Sequence, residues 1–171
     1  PKDVQFQKGK YKSSKEVVGE TYKPKVKAEL TDIEKAVEMI VKSKKPVIYS
    51  GGGVINAGIK ASDALTEFTR VTNFPITSTL QGLGAFPGSD PQFLGMLGMH
   101  GTYEANNAMH ECDLMINIGA RFDDRITGRV DAFSPNSKKI HIDIDPSSIN
   151  KIVKVDVAIV GDCLSVLSDM L

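Results

Sequence analysis

A dense cluster of charged side chains occupies residues 121–125. Arg121, Asp123, Asp124 and Arg125 lie within these five residues, around a single phenylalanine. A guanidinium group can bind a phosphate or a carboxylate through two parallel hydrogen bonds, and adjacent carboxylates can orient it or accept hydroxyl and ring hydrogens. The cluster is therefore a candidate site for a pyrophosphate or carboxylate ligand. The alternative is a salt-bridged loop that only stiffens a turn.

A second candidate is the glycine run 51–53, which directly follows a short apolar segment. Glycines at such a turn let the backbone approach a phosphate closely. The run does not satisfy the dinucleotide fingerprint G-x-G-x-x-G, because Asn56 stands at the position of the third glycine, and no acid ends the next predicted strand. A conventional NAD site is thus disfavoured. The three glycines could also serve only to make a tight turn.

Other reactive side chains form no catalytic pattern. The histidines, His100, His110 and His141, lack metal-ligand spacing, and each is interpreted as a structural residue with satisfied hydrogen bonds. Cys112 and Cys163 are far apart and match neither a metal nor a redox motif, so both are predicted to be buried, reduced thiols. There is no nucleophile elbow, phosphate-binding P-loop or cysteine–histidine pair. We therefore expect a binding domain with no metal site and no catalytic apparatus of its own.

The composition agrees with a single globular domain. The 171 residues carry 21 basic and 21 acidic side chains, so the formal net charge is zero. This balance, without a basic stripe, argues against nucleic acid as a partner. No apolar run approaches the roughly 18 residues that a membrane-spanning helix needs. Together with the reduced thiols, these features predict a cytoplasmic protein.

Short apolar runs alternate with amphipathic stretches from residue 31 onward. Strands are predicted at 46–50, 75–79, 113–118, 139–145 and 156–160, and residues 80–101 are predicted to be a long glycine-rich loop. Helices are predicted from a capping box at Thr31 and Glu34, over 57–72 and 102–111, and after Asp162. Strands and helices in alternation indicate a parallel sheet covered on both faces. The expected fold is a doubly wound, Rossmann-like α/β domain.

The first 30 residues differ from the rest because they are rich in lysine and have little apolar periodicity. We interpret residues 1–30 as a linker from a preceding domain and residues 31–171 as the folded domain. The sequence at both ends looks like the interior of a chain, so we expect a piece of a longer polypeptide.

Ligands of open parallel sheets bind beyond the carboxyl ends of the strands. Small, hydrogen-bonding or charged residues follow all five predicted strands, which favours a ligand site at this edge of the sheet. The methionine-rich stretch 96–101 could wrap a flat aromatic ring. The residues after the strands are Gly51, Gly52 and Gly53; Thr79, Leu80, Gln81 and Gly82; Gly119, Arg121, Asp123, Asp124 and Arg125; Asp143 and Asp145; and Gly161 and Asp162.

Five stretches of the sequence resemble, in order and spacing, the central domain of the acetohydroxyacid synthase (acetolactate synthase) family. They are residues 45–53, 78–84, 96–101, 119–128 and 141–145. The glycine motif and the strand pattern are shared by the wider group of thiamine-diphosphate enzymes. The Met-Leu-Gly-Met-His-Gly stretch at 96–101 and the Arg-Phe-Asp-Asp-Arg stretch at 121–125 are more specific to this family.

The resemblance implies a three-domain enzyme that decarboxylates pyruvate and joins the two-carbon unit to a second 2-ketoacid, opening branched-chain amino-acid synthesis. Thiamine diphosphate and Mg²⁺ would be bound by the first and third domains, and the middle domain would bind FAD without net redox chemistry. The fragment alone would then be inactive. Its partners would be the other two domains, further copies of the chain and a possible regulatory subunit.

The resemblance also assigns roles to individual positions. Arg125 would contact the carboxylate of the second ketoacid, and Asp124 would orient it. The positions implied to surround FAD are Gly52 and Gly53 at phosphate and ribose; Thr79, Leu80, Gln81, Met96, Gly98, Met99 and His100 at the flavin; Gly119, Arg121, Asp123 and Arg125 at the ribityl and pyrophosphate stretch; and Asp143, Ile144, Asp162 and Cys163 at the adenosine.

Two other interpretations remain open. One is a non-catalytic flavin or dinucleotide module, such as a domain resembling electron-transfer flavoproteins. The other is the middle domain of a different thiamine-diphosphate enzyme, for instance a glyoxylate carboligase or an oxidase. The stretches 96–101 and 121–125 favour acetohydroxyacid synthase over the latter, and a redox titration of bound flavin would separate it from an electron carrier.

Overall fold

The computed structural model describes residues 6–10 and 24–171. Most of the linker predicted at 1–30 therefore lies outside the described residues. The strands are β1 (Pro46–Ser50), β2 (Ile76–Ser78), β3 (Phe93–Met96), β4 (Leu114–Ile118), β5 (Lys138–Asp143) and β6 (Val157–Val160). The helices are α1 (Leu30–Lys42), α2 (Gly52–Ala57), α3 (Ile59–Thr72), α4 (Tyr103–Glu111), α5 (Asp124–Thr127) and α6 (Cys163–Met170), and short 3-10 turns lie at Leu80–Gly82, Val130–Ala132 and Pro146–Ser148.

The six strands form one parallel sheet in the order β3-β2-β1-β4-β5-β6. The chain proceeds from β1 towards one edge and, after β3, returns to the other side of β1 to build β4, β5 and β6. Neighbouring connections at β1 and β4 thus leave on opposite sides of the sheet and open a crevice between them. The predicted doubly wound α/β fold is confirmed.

Burial of both faces explains why the central strands are continuously apolar. The isoleucines Ile48, Ile116 and Ile140 pack on one face with α1, α3 and α6. On the other face Val47, Tyr49 and Met115 pack with α4 and the segment after β4. Along this second face Tyr49, Asn117 and His141 are cross-strand neighbours, so three polar side chains form a row across β1, β4 and β5. The row ends at Ala158 in β6.

The prediction of a structureless loop at 80–101 was wrong, because β3 lies within it and pairs with β2. Its sequence, Phe-Leu-Gly-Met, is short and only partly buried, and Gly95 interrupts it at φ +92°. The register shifts by one residue at this glycine, so Ile76 pairs with Phe93 while Ser78 pairs with Met96. A bulged edge strand carries almost no periodic signal.

Two helix boundaries also differ from prediction. The capping box at Thr31 and Glu34 is not formed, because α1 begins at Leu30 and Glu29 is its N-cap, without a side-chain hydrogen bond. The helix predicted over 57–72 is present but begins at Ile59, because Gly58 at φ +93° separates it from the short helix α2, which ends at Ala57 and was not predicted. The N-caps Thr102 and Asp162 do accept amide hydrogens from their helices.

Both cysteines are buried thiols, as predicted, with Cys112 2% and Cys163 4% exposed. No helix in the part of the chain that the structure describes combines the length and apolar character needed to cross a bilayer.

The β1 and β4 ends come together through glycine backbones. The Gly51 amide donates to the Ile118 carbonyl and the Gly53 amide to the Gly119 carbonyl, both at 2.9 Å. A Cβ on Gly51 would lie 2.5 Å from the Ala120 Cβ and closer still to the Gly119 carbonyl oxygen. A side chain at this position would therefore force the two strand ends apart.

We predict that Gly51→Ala lowers the free energy of unfolding by about 1–3 kcal/mol, the usual cost of overpacking. Gly88→Ala is the matched control, because nothing lies within 4 Å of its added Cβ. Its effect should stay within about 0.5 kcal/mol. Urea denaturation of both variants checks this, and equal midpoints would contradict the close approach.

Candidate functional site

A cleft of about 660 Å³ opens at the carboxyl ends of β1, β2, β4 and β5. It lies where the connections from β1 and β4 diverge, the usual ligand position in such sheets. The structure brings eleven of the predicted site residues to its lining: Gly52, Gly53, Thr79, Leu80, Gln81, Gly119, Arg121, Asp123, Arg125, Asp143 and Ile144.

One side of the cleft is formed by the turn after β1 and the turn after β2. Gly52 is the first residue of α2, so its amide has no acceptor within the helix. A Cβ there would approach the Gln81 Cβ at 3.1 Å, and the absence of a side chain keeps this passage open. Thr79 fixes the facing turn, because its hydroxyl accepts the Gly82 amide at 3.0 Å. Backbone groups therefore face the cleft on this side.

The opposite side is the turn after β4, which a buried asparagine holds in place. The Asn117 amide nitrogen donates to the Ala120 carbonyl at 2.6 Å, and its oxygen accepts the Ala120 amide at 3.1 Å. Gly119 adopts φ +67° and Phe122 adopts φ +55°. Two residues in the left-handed region reverse the chain tightly, so Arg121 and Asp123 flank a phenylalanine that turns inward.

Phe122 anchors this turn to the sheet. Its side chain is 1% exposed, and its ring packs on Tyr49 at 5.7 Å and on His141 at 5.0 Å between ring centroids. Phe133 contacts the same ring edge-on at 6.0 Å. Because the aromatic ring occupies the interior, the charged neighbours on either side of it are directed to the cleft.

The charged groups of the turn are paired with one another in the structure. Arg121 contacts Asp123 at 3.1 Å, and Arg125 lies 3.9 Å from Asp124. The Arg125 amide, accepted by Asp123 at 3.2 Å, is the main reason that the pKa of the Asp123 carboxyl is lowered; Asp124 and the Arg121 charge lower it further. Both arginine side chains are about three-quarters exposed, so they are available to an anion that enters the cleft.

Asp143 closes the third side, at the end of β5. Its Oδ1 accepts the Asp145 amide at 2.9 Å, while Oδ2 lies 3.6 Å from Nε2 of His141. Asp145 in turn accepts the amide and the hydroxyl of Ser147, which lowers the pKa of its carboxyl. The strand end is therefore a rigid carboxylate-bearing turn.

Several buried polar atoms beside the cleft have no hydrogen-bond partner within the described residues: Tyr49 Oη, Ser50 Oγ, Thr127 Oγ1 and both ring nitrogens of His141. Burial raises the pKa of the Tyr49 hydroxyl, with the Asp123 charge adding to the effect, so this hydroxyl stays protonated. The expectation that every histidine is a satisfied structural residue is wrong for His141, which is wholly buried. His100 and His110 are exposed.

The predicted flavin-side stretch 96–101 does not line the cleft, although it lies next to it. Asn106 brackets Gly98, donating to its carbonyl at 3.0 Å and accepting its amide at 2.8 Å. The Met99 amide donates to the Arg125 carbonyl at 3.0 Å. Met99 and His100 are exposed beyond α5, and Met96 ends β3.

The predicted adenosine-end residues Asp162 and Cys163 also lie outside the cleft lining. Asp162 caps α6 by accepting the Leu164 and Ser165 amides. Cys163 packs beneath Gly119, where its sulfur would lie 3.1 Å from a Cβ on that glycine. Burial raises the pKa of the Cys163 thiol to about 12, and the charges of Asp162 and Asp143 raise it further.

Six cleft residues were missed by the sequence analysis: Tyr49, Ile55, Asn56, Ala120, Ile126 and Ser148. Tyr49 was read only as a strand residue, although its position two before the glycine run places it at the cleft floor. Ile55 and Asn56 lie in α2, and they reach the cleft because this helix begins at Gly52. The others lie on turns whose path depends on Phe122 and Asp145. No cluster of metal-ligating side chains occurs among residues 6–10 and 24–171.

The chain is similar to proteins of one known family along nearly its whole length. The model of the family described as thiamine pyrophosphate enzyme, central domain, matches residues 33–170. The chain is 51% identical over 151 residues to the acetolactate synthase large subunit of Haemophilus influenzae, covering 88% of this chain and 26% of that protein. It is 46% identical over 173 residues to the acetolactate synthase large subunit of Buchnera aphidicola subsp. Schizaphis graminum, covering 100% of this chain and 30% of that protein.

A third relative is the acetolactate synthase isozyme 3 large subunit of Escherichia coli, 48% identical over 151 residues. The chain spans between 26% and 30% of the length of these three curated relatives. The similarity therefore extends along nearly all of this chain and along less than a third of each relative.

The role of Asn117 in shaping the cleft yields a stability prediction. Asn117→Asp replaces the amide donor with a carboxylate oxygen facing the Ala120 carbonyl. We expect a loss of about 1–3 kcal/mol of unfolding free energy at neutral pH, the cost of leaving buried polar groups unpaired.

The control is Asn107→Asp, an exposed position on α4. It should change stability by less than about 0.5 kcal/mol. Urea denaturation measures both variants. An Asn117→Asp midpoint equal to that of the control would show that the two hydrogen bonds between Asn117 and Ala120 do not hold the turn.

Proposed function

The chain belongs to the family of thiamine pyrophosphate enzyme central domains, and on this premise we propose that it is the FAD-binding central domain of an acetolactate synthase large subunit. The whole enzyme would decarboxylate pyruvate and condense the two-carbon unit with pyruvate or 2-ketobutyrate, the first common step of branched-chain amino-acid biosynthesis. The names of the relatives, at 46% to 51% identity, support this assignment.

The observation that carries the proposal is the convergence of three different polar groups on one cleft. The backbone of Gly52 and Gly53, with the Gly52 amide free of an acceptor within its helix, the guanidinium groups of Arg121 and Arg125, and the Asp143 carboxylate all line it. Its volume of about 660 Å³ lies within the usual range for small-molecule and cofactor sites. Phosphates need the first two groups and ribose hydroxyls need the third, so the lining suits a dinucleotide.

Each group has a distinct task in this proposal. Arg121 would exchange part of its pairing with Asp123 for the FAD pyrophosphate, and Gly52 and Gly53 would let a phosphate or ribose approach the backbone. Asp143 would accept hydroxyl hydrogens at the adenosine end. Thr79, Leu80 and Gln81 would line the flavin side, with Met96, Gly98, Met99, His100, Ile144, Asp162 and Cys163 as further proposed neighbours of the cofactor.

The cofactors divide between this domain and others. FAD would be held here without net redox chemistry, whereas thiamine diphosphate with Mg²⁺ would supply the electron sink for decarboxylation on other domains of the same polypeptide. The residues of this domain would then bind FAD and position the second ketoacid. We therefore propose that the 171 residues alone have no carboligase activity. Further copies of the chain and a regulatory subunit are proposed partners, and a cytoplasmic location remains a prediction.

Arg125 has a second proposed task at the mouth of the cleft. Its guanidinium is 73% exposed and lies 3.9 Å from the Asp124 carboxylate. A cation in this position can pair with the carboxylate of the second ketoacid, and Asp124 would orient it. The side chain binds and positions the substrate, and no bond to it forms or breaks.

FAD titration of the chain, followed by flavin fluorescence or calorimetry, tests the proposal. We expect saturable binding that Arg121→Gln weakens about tenfold or more, because a charge-assisted hydrogen bond to phosphate is lost. Arg70→Gln is the control, since Arg70 is an exposed arginine that pairs with Asp90 and does not line the cleft.

Failure of the wild-type chain to bind FAD saturably would contradict the FAD proposal. Equal weakening by both substitutions would show that binding depends on overall charge instead of the cleft. Reversible flavin reduction during a redox titration at physiological potentials would favour the electron-carrier alternative.

In the complete enzyme, Arg125→Lys should reduce the discrimination between pyruvate and 2-ketobutyrate as second substrates, since an ammonium cannot make the bidentate contact of a guanidinium. The measurement is the ratio of the two products with both ketoacids present. Arg129→Lys is the matched control, because Arg129 pairs with Asp131 and lies outside the cleft lining. An unchanged ratio in Arg125→Lys would reject the role.

A further inference from the structure

His141 is a buried side chain without an evident structural partner. It lies in β5, is 0% exposed, and neither ring nitrogen has a hydrogen-bond partner among the described residues. Buried polar groups in folded proteins are nearly always paired, so an imidazole with two unpaired nitrogens calls for an explanation.

The neighbours of His141 on the sheet cannot supply a partner. Asn117, beside it on β4, uses its amide donor and its amide oxygen on the backbone of Ala120. Ala158, on the other side in β6, has no polar side-chain atom. Phe122 covers the ring edge-on at 5.0 Å and at an interplanar angle of 77°. The imidazole is therefore held in place by apolar packing and has its polar atoms free.

One polar group does face His141, at the border of the cleft. Nε2 lies 3.6 Å from Oδ2 of Asp143, a separation slightly too long for a hydrogen bond. The other carboxylate oxygen, Oδ1, already accepts the Asp145 amide at 2.9 Å. Asp143 is therefore held through Oδ1. A small rotation of its side chain or of the imidazole would bring Oδ2 within hydrogen-bonding distance of His141 Nε2.

We propose that His141 is the positioning residue of Asp143: when a ligand with ribose hydroxyls enters the cleft, Nε2–H donates to Oδ2 and fixes the carboxylate plane. The Asp145 amide and the imidazole then each occupy one lone pair on a different oxygen. One lone pair on each oxygen remains for the ligand, so the carboxylate can accept from two neighbouring hydroxyls. No proton is transferred.

This inference rests on the proposed binding of FAD, and it predicts that His141 affects the binding of FAD but not that of FMN. Asp143 would face the adenosine ribose, a part that FMN lacks. Loss of the His141 donor should therefore weaken binding of FAD and leave binding of FMN unchanged. A purely structural role would weaken both, because both flavins share the riboflavin phosphate half.

The test measures dissociation constants of FAD and FMN for three variants of the chain. His141→Phe keeps a flat ring beside Phe122 and removes the donor, and we expect FAD affinity to fall about tenfold with FMN affinity unchanged. His141→Gln can place an amide hydrogen near the position of Nε2 and should restore most of the loss. Thr127→Val is the control, since it also removes a buried unpartnered polar atom but does not line the cleft.

Unchanged FAD affinity in His141→Phe, with the wild type binding FAD, would overturn the inference alone. Parallel losses of FAD and FMN affinity would also overturn it, in favour of a structural role. Failure of the wild type to bind FAD would overturn the proposed function and this inference with it.

Nitrogen-15 spectra of histidine-labelled wild type give a readout that does not depend on the folding of a variant. We expect Nε2 of His141 to carry a hydrogen and its resonance to shift on addition of FAD but not of FMN. An Nε2 without hydrogen, or a resonance that FAD leaves in place, would contradict the positioning role.

Discussion

The cleft depends on one aromatic anchor. Phe122 sits in a left-handed backbone conformation that costs about 1–3 kcal/mol for a residue other than glycine, and packing of its ring on Tyr49 and His141 offsets this cost. Because the ring is drawn to the sheet, Arg121 and Asp123 project on the ligand side. Packing of Phe122 on the face of the sheet therefore determines where the charged side chains of Arg121 and Asp123 lie at its edge.

The glycines at the strand ends serve the fold first. Gly53 donates to the Gly119 carbonyl at 2.9 Å, and a Cβ on Gly53 would lie 2.7 Å from the Gly119 Cα. This close approach is needed whether or not a phosphate binds. A tight turn and a phosphate site are alternative interpretations of the glycine run in the sequence, and the structure makes them compatible, since the same bare backbone that joins β1 to β4 also lines the cleft.

The predictable parts of the molecule are those with local signals. β1 and β4 are runs of buried apolar residues, and the charged stretch after β4 could be placed at the ligand edge because parallel strands share one carboxyl end. β3 was missed, since a bulge at Gly95 breaks its alternation. The separation of Met99 from the cleft and the unpaired nitrogens of His141 depend on contacts between elements distant in sequence, namely Met99 with Arg125 and His141 with Phe122. No sequence pattern encodes these contacts.

Occupation of the carboxyl-end cleft by a flavin dinucleotide can be measured by mapping amide chemical-shift changes of the isotope-labelled chain during addition of FAD. We expect the largest changes on Gly52, Gly53 and the residues from Gly119 to Arg125, with Asp143 among them. Shift changes confined to the opposite edge of the sheet, where Lys44, Lys45 and Phe74 line a separate depression, would contradict it.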